Sequence, residues 1–210
     1  MDQEDSGLSW KYYVALGDSI TSSLGDPVPG IEPLRWPDRL ALALQQLNPR
    51  LRYKNLAQEG HTIHDIHTQQ YPKAEALHPD LVSIIAGGND VFSPHWALDQ
   101  YRYTLENLLQ AFRGQGATVL TFTMLNPSAI LPARLAAKIC ARLEETHAII
   151  RDLSNQYQCI CVDCWHLVNT HEPGIWSADR KHPNARAHQF IALEAGRCLQ
   201  QAGVGPVGLA

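Results

Sequence analysis

A serine follows a short apolar run near the start of the 210-residue chain, in the stretch YYVALGDSIT at 12–21. A serine hydroxyl becomes a useful nucleophile when a neighbouring base takes its proton, a third group orients that base, and N–H donors meet the oxyanion that forms. Residues of the types that fill these roles occur in three later segments of the chain. These segments are NLAQEG at 55–60, GGND at 87–90 and DRKHP at 179–183.

Taken in order with GDSIT at 17–21, these segments form a recognisable set. The G-x-S-x-G turn of α/β-hydrolases is absent, because GDSIT has no second glycine, and no Gly-Lys-Ser/Thr phosphate loop occurs. The ordered set resembles the GDSL, or SGNH, hydrolase family, and the likeness extends from residue 12 to about residue 188. One block alone is a weak signal, but four in order, each at a strand-to-helix junction, are specific.

The resemblance implies a role for each matching residue. Ser19 would be the nucleophile, and its own backbone N–H would be one oxyanion donor. The backbone N–H of Gly60 and the side chain of Asn89 would be the other two donors. His182 would be the base, oriented by Asp179 three residues before it.

The physical chemistry of these residue types agrees with the implied roles. Gly60 has no Cβ, so a substrate oxygen can approach its amide closely. Asn89 offers N–H donors without carrying a charge. A D-x-x-H spacing puts a carboxylate and an imidazole in one short loop, where Asp179 can accept from one ring nitrogen of His182 while the other faces the serine.

Neighbouring residues are assigned supporting positions. Ile20 replaces the leucine usual in the family, and Glu59 beside the second donor is expected to face solvent. Asp18 and Asp90 are expected to hold loop backbone through local hydrogen bonds rather than to transfer protons. Asp163, at the end of the fifth predicted strand, is the reserve candidate for orienting the histidine.

Two other patterns suggest metal sites at first, but another interpretation is favoured for each, and we predict neither a metal nor a cofactor. Histidines 61, 64 and 67 recur every three residues without an acidic H-E-x-x-H motif, and a solvated helix face is favoured. Cysteines 159, 161 and 164 precede His166. On a strand the first two cysteines share one face and the third points the other way, so core packing and free thiols are favoured over zinc.

Apolar runs typical of buried parallel strands alternate with segments of helical spacing. This alternation predicts one domain over 1–210, with a core at about 10–203 and short flexible tails. The predicted fold is a three-layer α/β/α sandwich with a five-stranded parallel sheet, flavodoxin-like, as in SGNH hydrolases. The predicted strands are 12–17, 52–57, 81–87, 118–124 and 159–165. The predicted helices cover 36–47, 98–112, 135–153 and 187–202, with Pro183 in the first turn of the last one.

A ligand crevice is expected beyond the carboxyl ends of these strands, where Ser19, Gly60, Asn89 and Asn126 would meet. The proline-rich loop 25–35 is expected to form a stiff rim. Without an inserted lid, the site should be open and shallow and suit short or medium acyl groups. Apolar and aromatic side chains from strand-end loops are the candidate substrate contacts, with packing under the loops as the alternative for each. These candidates are Phe92, Trp96, Leu125, Pro127 and Trp176.

Composition excludes several other classes of function. The chain is 45% hydrophobic and 18% charged, as in soluble globular domains. Its net charge of −4 is too mild and too mixed for a nucleic-acid or anionic-membrane surface. The start, MDQEDSGLSW, is acidic where a signal peptide would be basic and then apolar, so a cytoplasmic location without stable membrane association is expected.

The expected activity is that of a metal-independent serine esterase, which acts on a small-molecule ester through an acyl-enzyme on Ser19. An acyltransferase would share the same intermediate and remains an alternative. A non-catalytic binding module on the same fold is a third interpretation, and the intact set of site residues argues against it. The oligomeric state is left open.

Overall fold

Five parallel strands form the centre of the computed structural model, which describes residues 10–167, 173–204 and 207–208. The strand order is β2-β1-β3-β4-β5, and every neighbouring pair is parallel. The strands are β1 (Tyr12–Gly17), β2 (Arg52–Asn55), β3 (Leu81–Ile85), β4 (Thr118–Phe122) and β5 (Ile160–Val162).

Helices connect the strands and cover both faces of the sheet. They are α1 (Ser19–Ser22), α2 (Trp36–Leu47), α3 (Ile63–Asp65), α4 (Tyr71–Glu75), α5 (Gly88–Phe92), α6 (Leu98–Gly114), α7 (Ala133–Gln156) and α8 (Ala185–Gln201). A π-helical turn, Ile66–Gln70, joins α3 to α4, and a 3₁₀ turn, Pro173–Ile175, lies before α8. The predicted three-layer α/β/α architecture is confirmed.

Side chains of β1 alternate between the two halves of the core, as the pleat of a strand requires. Tyr13 and Ala15 belong to the apolar cluster that α2 and α8 cover. Val14 and Leu16 belong to the cluster on the opposite face, with side chains of α6 and of the second half of α7. All four side chains are inaccessible to solvent, so β1 is buried on both faces.

The observed elements refine the predicted ones. Each strand lies within its predicted run, but four end early because the following residues turn into loops at the carboxyl edge. The prediction for Pro183 was wrong. Helix α8 begins at Ala185, and Asn184 is its N-cap, with a side-chain oxygen that accepts from Arg186 N–H at 3.0 Å. Pro183 precedes the cap.

The cysteines of the fifth strand region lie as predicted on both faces of the sheet. Cys159 and Cys161 pack against the core half that contains α6, whereas Cys164 is buried in the other half. The cysteines in the described residues are free thiols. Within 10–167, 173–204 and 207–208, histidine, cysteine and acidic side chains form no group of three or more that could hold a metal ion.

No helix in the described parts of the chain has the length and apolar character needed to cross a membrane.

A buried histidine ties the carboxyl end of β4 to α7. His147 is 1% exposed, and its Nε2 accepts from the backbone N–H of Met124 at 2.9 Å, which requires an unprotonated nitrogen. Burial, together with a smaller effect of nearby Arg151, lowers the pKa of His147 from its usual 6.5 to about 4. Neutral His147 therefore belongs to the folded state at pH 7.

The stability of the protein should depend on pH through His147. Its folded pKa lies below the unfolded value, so the unfolded chain takes up the proton first as pH falls. This contribution to stability is complete above about pH 6.5 and is lost as the pH falls toward 4. Between pH 7 and pH 5, the free energy of unfolding measured in urea should fall by about 2 kcal/mol less in a His147→Gln variant than in wild type. His95→Gln, at an exposed residue, is the control and should follow wild type; equal losses in all three proteins would contradict the assignment.

Candidate active site

Ser19 lies where β1 leaves the buried sheet and becomes the first residue of α1. The preceding residue, Asp18, caps this one-turn helix by accepting from the backbone N–H of Ile20 at 2.9 Å. The cap uses the N–H of Ile20 and leaves that of Ser19 without an acceptor among the described residues. The prediction that Asp18 holds loop backbone is confirmed.

Burial gives Asp18 unusual acid–base properties. The residue is 2% exposed, and burial raises the pKa of its carboxyl to about 7, although the hydrogen bond from Ile20 N–H acts in the opposite direction. The nearby carboxylate of Asp90 makes a smaller contribution to this raised pKa. Because a buried charge is costly, this carboxyl holds the turn while carrying less negative charge than an exposed aspartate.

Glycines 17 and 60 are required for different reasons. A Cβ on Gly17 would lie 2.7 Å from Thr21 Oγ1 and 2.8 Å from Ile85 O, so the turn before Ser19 has no space for a side chain. A Cβ on Gly60 would meet nothing within 4 Å, but its φ of +78° is a backbone conformation that favours glycine. The Gly60 N–H, like that of Ser19, has no acceptor within the described chain.

Asn89 is held in place by a neighbouring loop. Helix α5 follows β3, and the Nδ2 of Asn89 donates to the backbone carbonyl of His61 at 2.9 Å. This bond occupies one of the two amide hydrogens and leaves the other available. Asp90 accepts from Ile63 N–H at 3.1 Å, so it supports loop backbone as predicted, but through a bond between residues 27 apart and not through the local bond that was expected.

His182 and Asp179 lie in one turn, in which their side chains are hydrogen-bonded to each other. His182 Nδ1 lies 2.6 Å from Asp179 Oδ2, while Asp179 Oδ1 accepts from the backbone N–H groups of Lys181 at 2.9 Å and His182 at 3.1 Å. The hydrogen bond with His182 is the largest of the effects that lower the pKa of Asp179 to about 2. Between them, Arg180 has a φ of +55°, uncommon for a residue with a side chain.

The loop at 25–35 is hydrogen-bonded to the chain just before the Asp179–His182 turn and does not line the cleft. The prediction that it forms a rim of the cleft was therefore wrong. Asp26 Oδ2 accepts from Ala178 N–H at 2.7 Å, and Asp26 N–H donates to Ser177 Oγ at 2.9 Å. None of residues 25–35 contributes to the cleft wall in the described structure. The sequence analysis missed Asp26, although the Asp-Pro pair at 26–27 is typical of a residue whose side chain binds nearby backbone.

One cleft of about 550 Å³ brings together all five residues that were assigned as the nucleophile, its base, the carboxylate that orients the base, and the oxyanion donors. Phe92, Leu125 and Trp176 line the same cleft. The five residues are Ser19, Gly60, Asn89, Asp179 and His182. Ser19 lines this cleft, and its Oγ makes no hydrogen bond within the described residues.

Three residues considered for the site do not line the cleft in the described structure: Trp96, the reserve candidate Asp163, and Asn126, which was expected in the crevice. Trp96 does not line the cleft but packs on Tyr101, with ring centroids 5.8 Å apart, because the loop after α5 turns it toward the core. Asp163 is bound to Thr123 Oγ1 at 3.0 Å and to His166 Nδ1 at 3.0 Å, and it has no contact with His182.

The cleft is deeper than the open, shallow site that was expected. Its far wall is apolar and reaches α7, whereas Glu59, which is exposed as predicted, lies at the mouth. The segment after β4 forms this wall. It has no regular secondary structure, so hydrophobic periodicity did not predict it. The wall residues are Met124, Leu125, Pro127, Ile130, Leu131, Leu135 and Leu143.

A model of the GDSL-like lipase/acylhydrolase family matches residues 15–190, which is most of the chain. The chain belongs to this family. Its members hydrolyse esters, and the protein is accordingly an ester hydrolase acting on small-molecule esters. Comparison with curated proteins finds no significant match.

Solved structures of similar fold include three enzymes that the chain matches along nearly its whole length. An α/β hydrolase, LAE5, from the metagenome of Lake Arreo, Spain, is 25% identical with a TM-score of 0.73, covering 90% of this chain and 95% of that one. The acetylxylan esterase Axe2 from Geobacillus stearothermophilus, in a mutant form, is 20% identical with a TM-score of 0.74, covering 91% and 94%. TesA is 23% identical with a TM-score of 0.72, covering 90% and 98%. The last two likenesses, below 25% identity, concern the fold.

The contact between Gly25 and the His182 turn can be tested with a matched pair of glycines. Gly25 and Gly30 have φ values of +71° and +78°, but a Cβ on Gly25 would lie 2.0 Å from Pro183 O, whereas one on Gly30 would meet nothing. Gly30→Ala should cost only about 1 kcal/mol of stability, from its backbone conformation, and leave activity unchanged. Gly25→Ala should also displace the turn and lower kcat about tenfold. Equal kcat values for the two variants would show that the contact does not position the turn.

Proposed function

We propose that this family member is a serine esterase that forms an acyl-enzyme on Ser19, with His182 as general base and Asp179 as its orienting partner. The observation that carries the proposal is the shared cleft, in which an unpaired serine hydroxyl, an Asp-bound imidazole and free N–H donors lie together. Each group is held by backbone or side-chain hydrogen bonds that do not involve substrate. Such preorganisation is what acyl transfer requires.

In the proposed first step, Ser19 Oγ attacks the ester carbonyl carbon while its proton passes to Nε2 of His182. Asp179, whose pKa of about 2 keeps it ionised, can only accept a hydrogen bond, so Nδ1 of His182 carries the proton between them. This fixes the tautomer in which Nε2 is the free base. The tetrahedral intermediate then collapses, and His182 returns the proton to the departing alcohol.

In the second step, water attacks the acyl-enzyme with the same histidine as base, and the acid product leaves with Ser19 regenerated. The negative oxygen formed in each step would be bound by the N–H groups of Ser19 and Gly60 and by the second amide hydrogen of Asn89. Neither backbone N–H is used by another described residue, so no internal bond has to break when the oxyanion forms.

The chemistry of the cleft wall supports a substrate with an apolar acyl part. The apolar far wall would take the acyl chain, and its depth to Leu143 favours medium chains over acetyl groups. The opposite rim carries Glu59, Arg180 and Lys181, all exposed, and would face the alcohol part. We propose that the whole chain acts as one domain in this reaction.

Substitutions of the nucleophile and of the third donor test the mechanism. Ser19→Ala should abolish turnover of p-nitrophenyl butyrate without loss of the fold measured by circular dichroism. Asn89→Ala should lower kcat about 10²–10³-fold, because one oxyanion donor is lost. Asn126→Ala is the matched control: its amide oxygen accepts from Ser128 N–H at 2.9 Å outside the cleft, so kcat should stay within about threefold of wild type.

Undiminished hydrolysis by Ser19→Ala would refute the assignment of the nucleophile. Product analysis of the wild-type reaction with an added alcohol separates the acyltransferase alternative. New ester formed faster than free acid would identify a transferase, whereas free acid as the main product is expected here.

Narrowing the apolar wall should change the preference for acyl length. Leu143→Trp fills the far end of the cleft, so kcat/KM for p-nitrophenyl octanoate should fall about tenfold or more, while that for the acetate stays within about twofold. Leu42→Trp, on the exposed surface of α2 at 50% exposure, is the control and should affect neither ester. Parallel loss for both esters in the Leu143 variant would show that the acyl chain lies elsewhere.

A further inference from the structure

Gln70 is a polar side chain in a core position, and the proposed mechanism does not use it directly. The helical run 63–75 buries one stripe of side chains: Ile63, Ile66, Gln70 and Ala74. Three of the four are apolar, whereas Gln70 is a primary amide at 0% exposure. A buried amide without partners would cost several kcal/mol, so its contacts indicate what it does.

The first contact of Gln70 is with the backbone of Gly17, two residues before the nucleophile. Strand β2 ends at Asn55, which is paired with Ala15, although the chain beyond it still donates from Gln58 N–H to Gly17 O at 3.1 Å. Gln70 Oε1 accepts from Gly17 N–H at 3.0 Å, and Gln70 Nε2 donates to Gly17 O at 2.8 Å. The amide thus binds both backbone groups of the last strand residue: it is the acceptor for the Gly17 N–H and a second donor to the Gly17 carbonyl, beside Gln58.

The second contact extends to the oxyanion donors. Gln70 Nε2 also lies 3.0 Å from His61 Nδ1, and this bond with the bond to Gly17 O uses both amide hydrogens. The ring nitrogen must then be the acceptor. The backbone carbonyl of the same His61 receives the bond from Asn89 Nδ2 at 2.9 Å, and Gly60 is its chain neighbour. The three histidines were predicted to lie on a solvated helix face. This prediction was wrong for His61, which turns inward, although His64 is exposed.

Local backbone geometry accounts for the position of Gln70. The turn Ile66–Gln70 is π-helical, and the N–H of Tyr71 donates to the carbonyl of Ile66, one residue further back than in an α-helix. Pro72 follows, and in a regular α-helix its ring would crowd the carbonyl of Thr68. The wider turn avoids this, and π-turns of this kind are frequent at functional sites.

We propose that Gln70 is the positioning residue that fixes the distance between the nucleophile turn and the other two oxyanion donors. One rigid amide is bound to the backbone before Ser19 and to the residue that follows Gly60 and holds Asn89. Without it, each donor would remain on its own loop, but the three would no longer be held in one geometry. This inference rests on the proposed function, because it assigns a role to Gln70 in forming that oxyanion site.

The test compares Gln70→Met with a control that removes a buried hydrogen bond of purely structural kind. Methionine has a similar volume and shape but binds neither Gly17 nor His61. The control is Thr121→Val, which loses the bond of 2.6 Å between Thr121 Oγ1 and Ser154 Oγ within the core. Both variants are expected to lose stability, measured by urea unfolding, so a purely structural role for Gln70 would make them behave alike.

The readouts are kcat and KM for p-nitrophenyl butyrate at 25 °C, and the inhibition constant of a boronic acid that forms a tetrahedral adduct with serine. For Gln70→Met we expect kcat to fall about 10–100-fold, KM to stay within about threefold, and boronate inhibition to weaken by a factor similar to the fall in kcat. For Thr121→Val we expect all three to stay within about threefold of wild type. A fall in kcat of less than about threefold for Gln70→Met, or no greater than that of the control, would overturn the proposal.

A second variant decides the matter if Gln70→Met does not fold. His61→Leu removes only the contact with Gln70 on the donor side, at a half-buried position. A fall in kcat of at least about threefold with KM retained supports the proposal, and a smaller fall overturns it. Ser19→Ala is measured alongside. Activity in that variant would refute the proposed function itself, whereas loss of activity there with unchanged Gln70 and His61 variants would refute only this inference.

Discussion

The candidate site depends on how the backbone N–H and C=O groups at the buried end of β1 are hydrogen-bonded. Gly17 and Asp18 lie in the protein interior, where every unpaired N–H or C=O is costly, yet in the proposed mechanism the next N–H, that of Ser19, must remain free to bind the oxyanion. The chain meets both demands with side chains. Gln70 accepts from the N–H of Gly17, and Asp18 accepts from the N–H of Ile20, while the N–H of Ser19 has no acceptor among the described residues.

Two aspartates near the site have opposite pKa shifts, and the difference follows from their surroundings. Asp179 is exposed and bound by His182 and two backbone N–H groups, which lower its pKa to about 2 and keep it an acceptor for the imidazole. Asp18 is buried, which raises its pKa to about 7. The full negative charge therefore lies beside His182, where in the proposed mechanism it would stabilise a protonated imidazole, while less charge lies next to Ser19.

Much of the fold and the members of the candidate site could be predicted because they depend on local patterns. The strand β1 is a continuous apolar run. Ser19 and Asn89 come shortly after such runs, and His182 comes shortly before the last helix. Parallel strands place their carboxyl ends at one edge, which predicted that Ser19, Gly60 and Asn89 would meet, whereas His182 was predicted only by the family resemblance.

The remaining features depend on contacts between distant loops. Asp26 meets the His182 turn across about 150 residues of chain, and no local pattern indicates which carboxylate does so. Trp96 follows the third strand as Phe92 does, but its loop turns it onto Tyr101, a choice set by packing. Gln70 occupies an apolar stripe, and that mismatch was the one sequence signal of its buried contacts.

The central claim is that Ser19 alone carries the acyl group, and active-site labelling tests it most directly. The protein would be treated with a fluorophosphonate, and the modified residue identified by mass spectrometry of its peptides while residual esterase activity is followed. One equivalent of label on Ser19 is expected, with activity falling in proportion to the modified fraction. Label on a different residue, or full esterase activity in protein fully modified at Ser19, would contradict it.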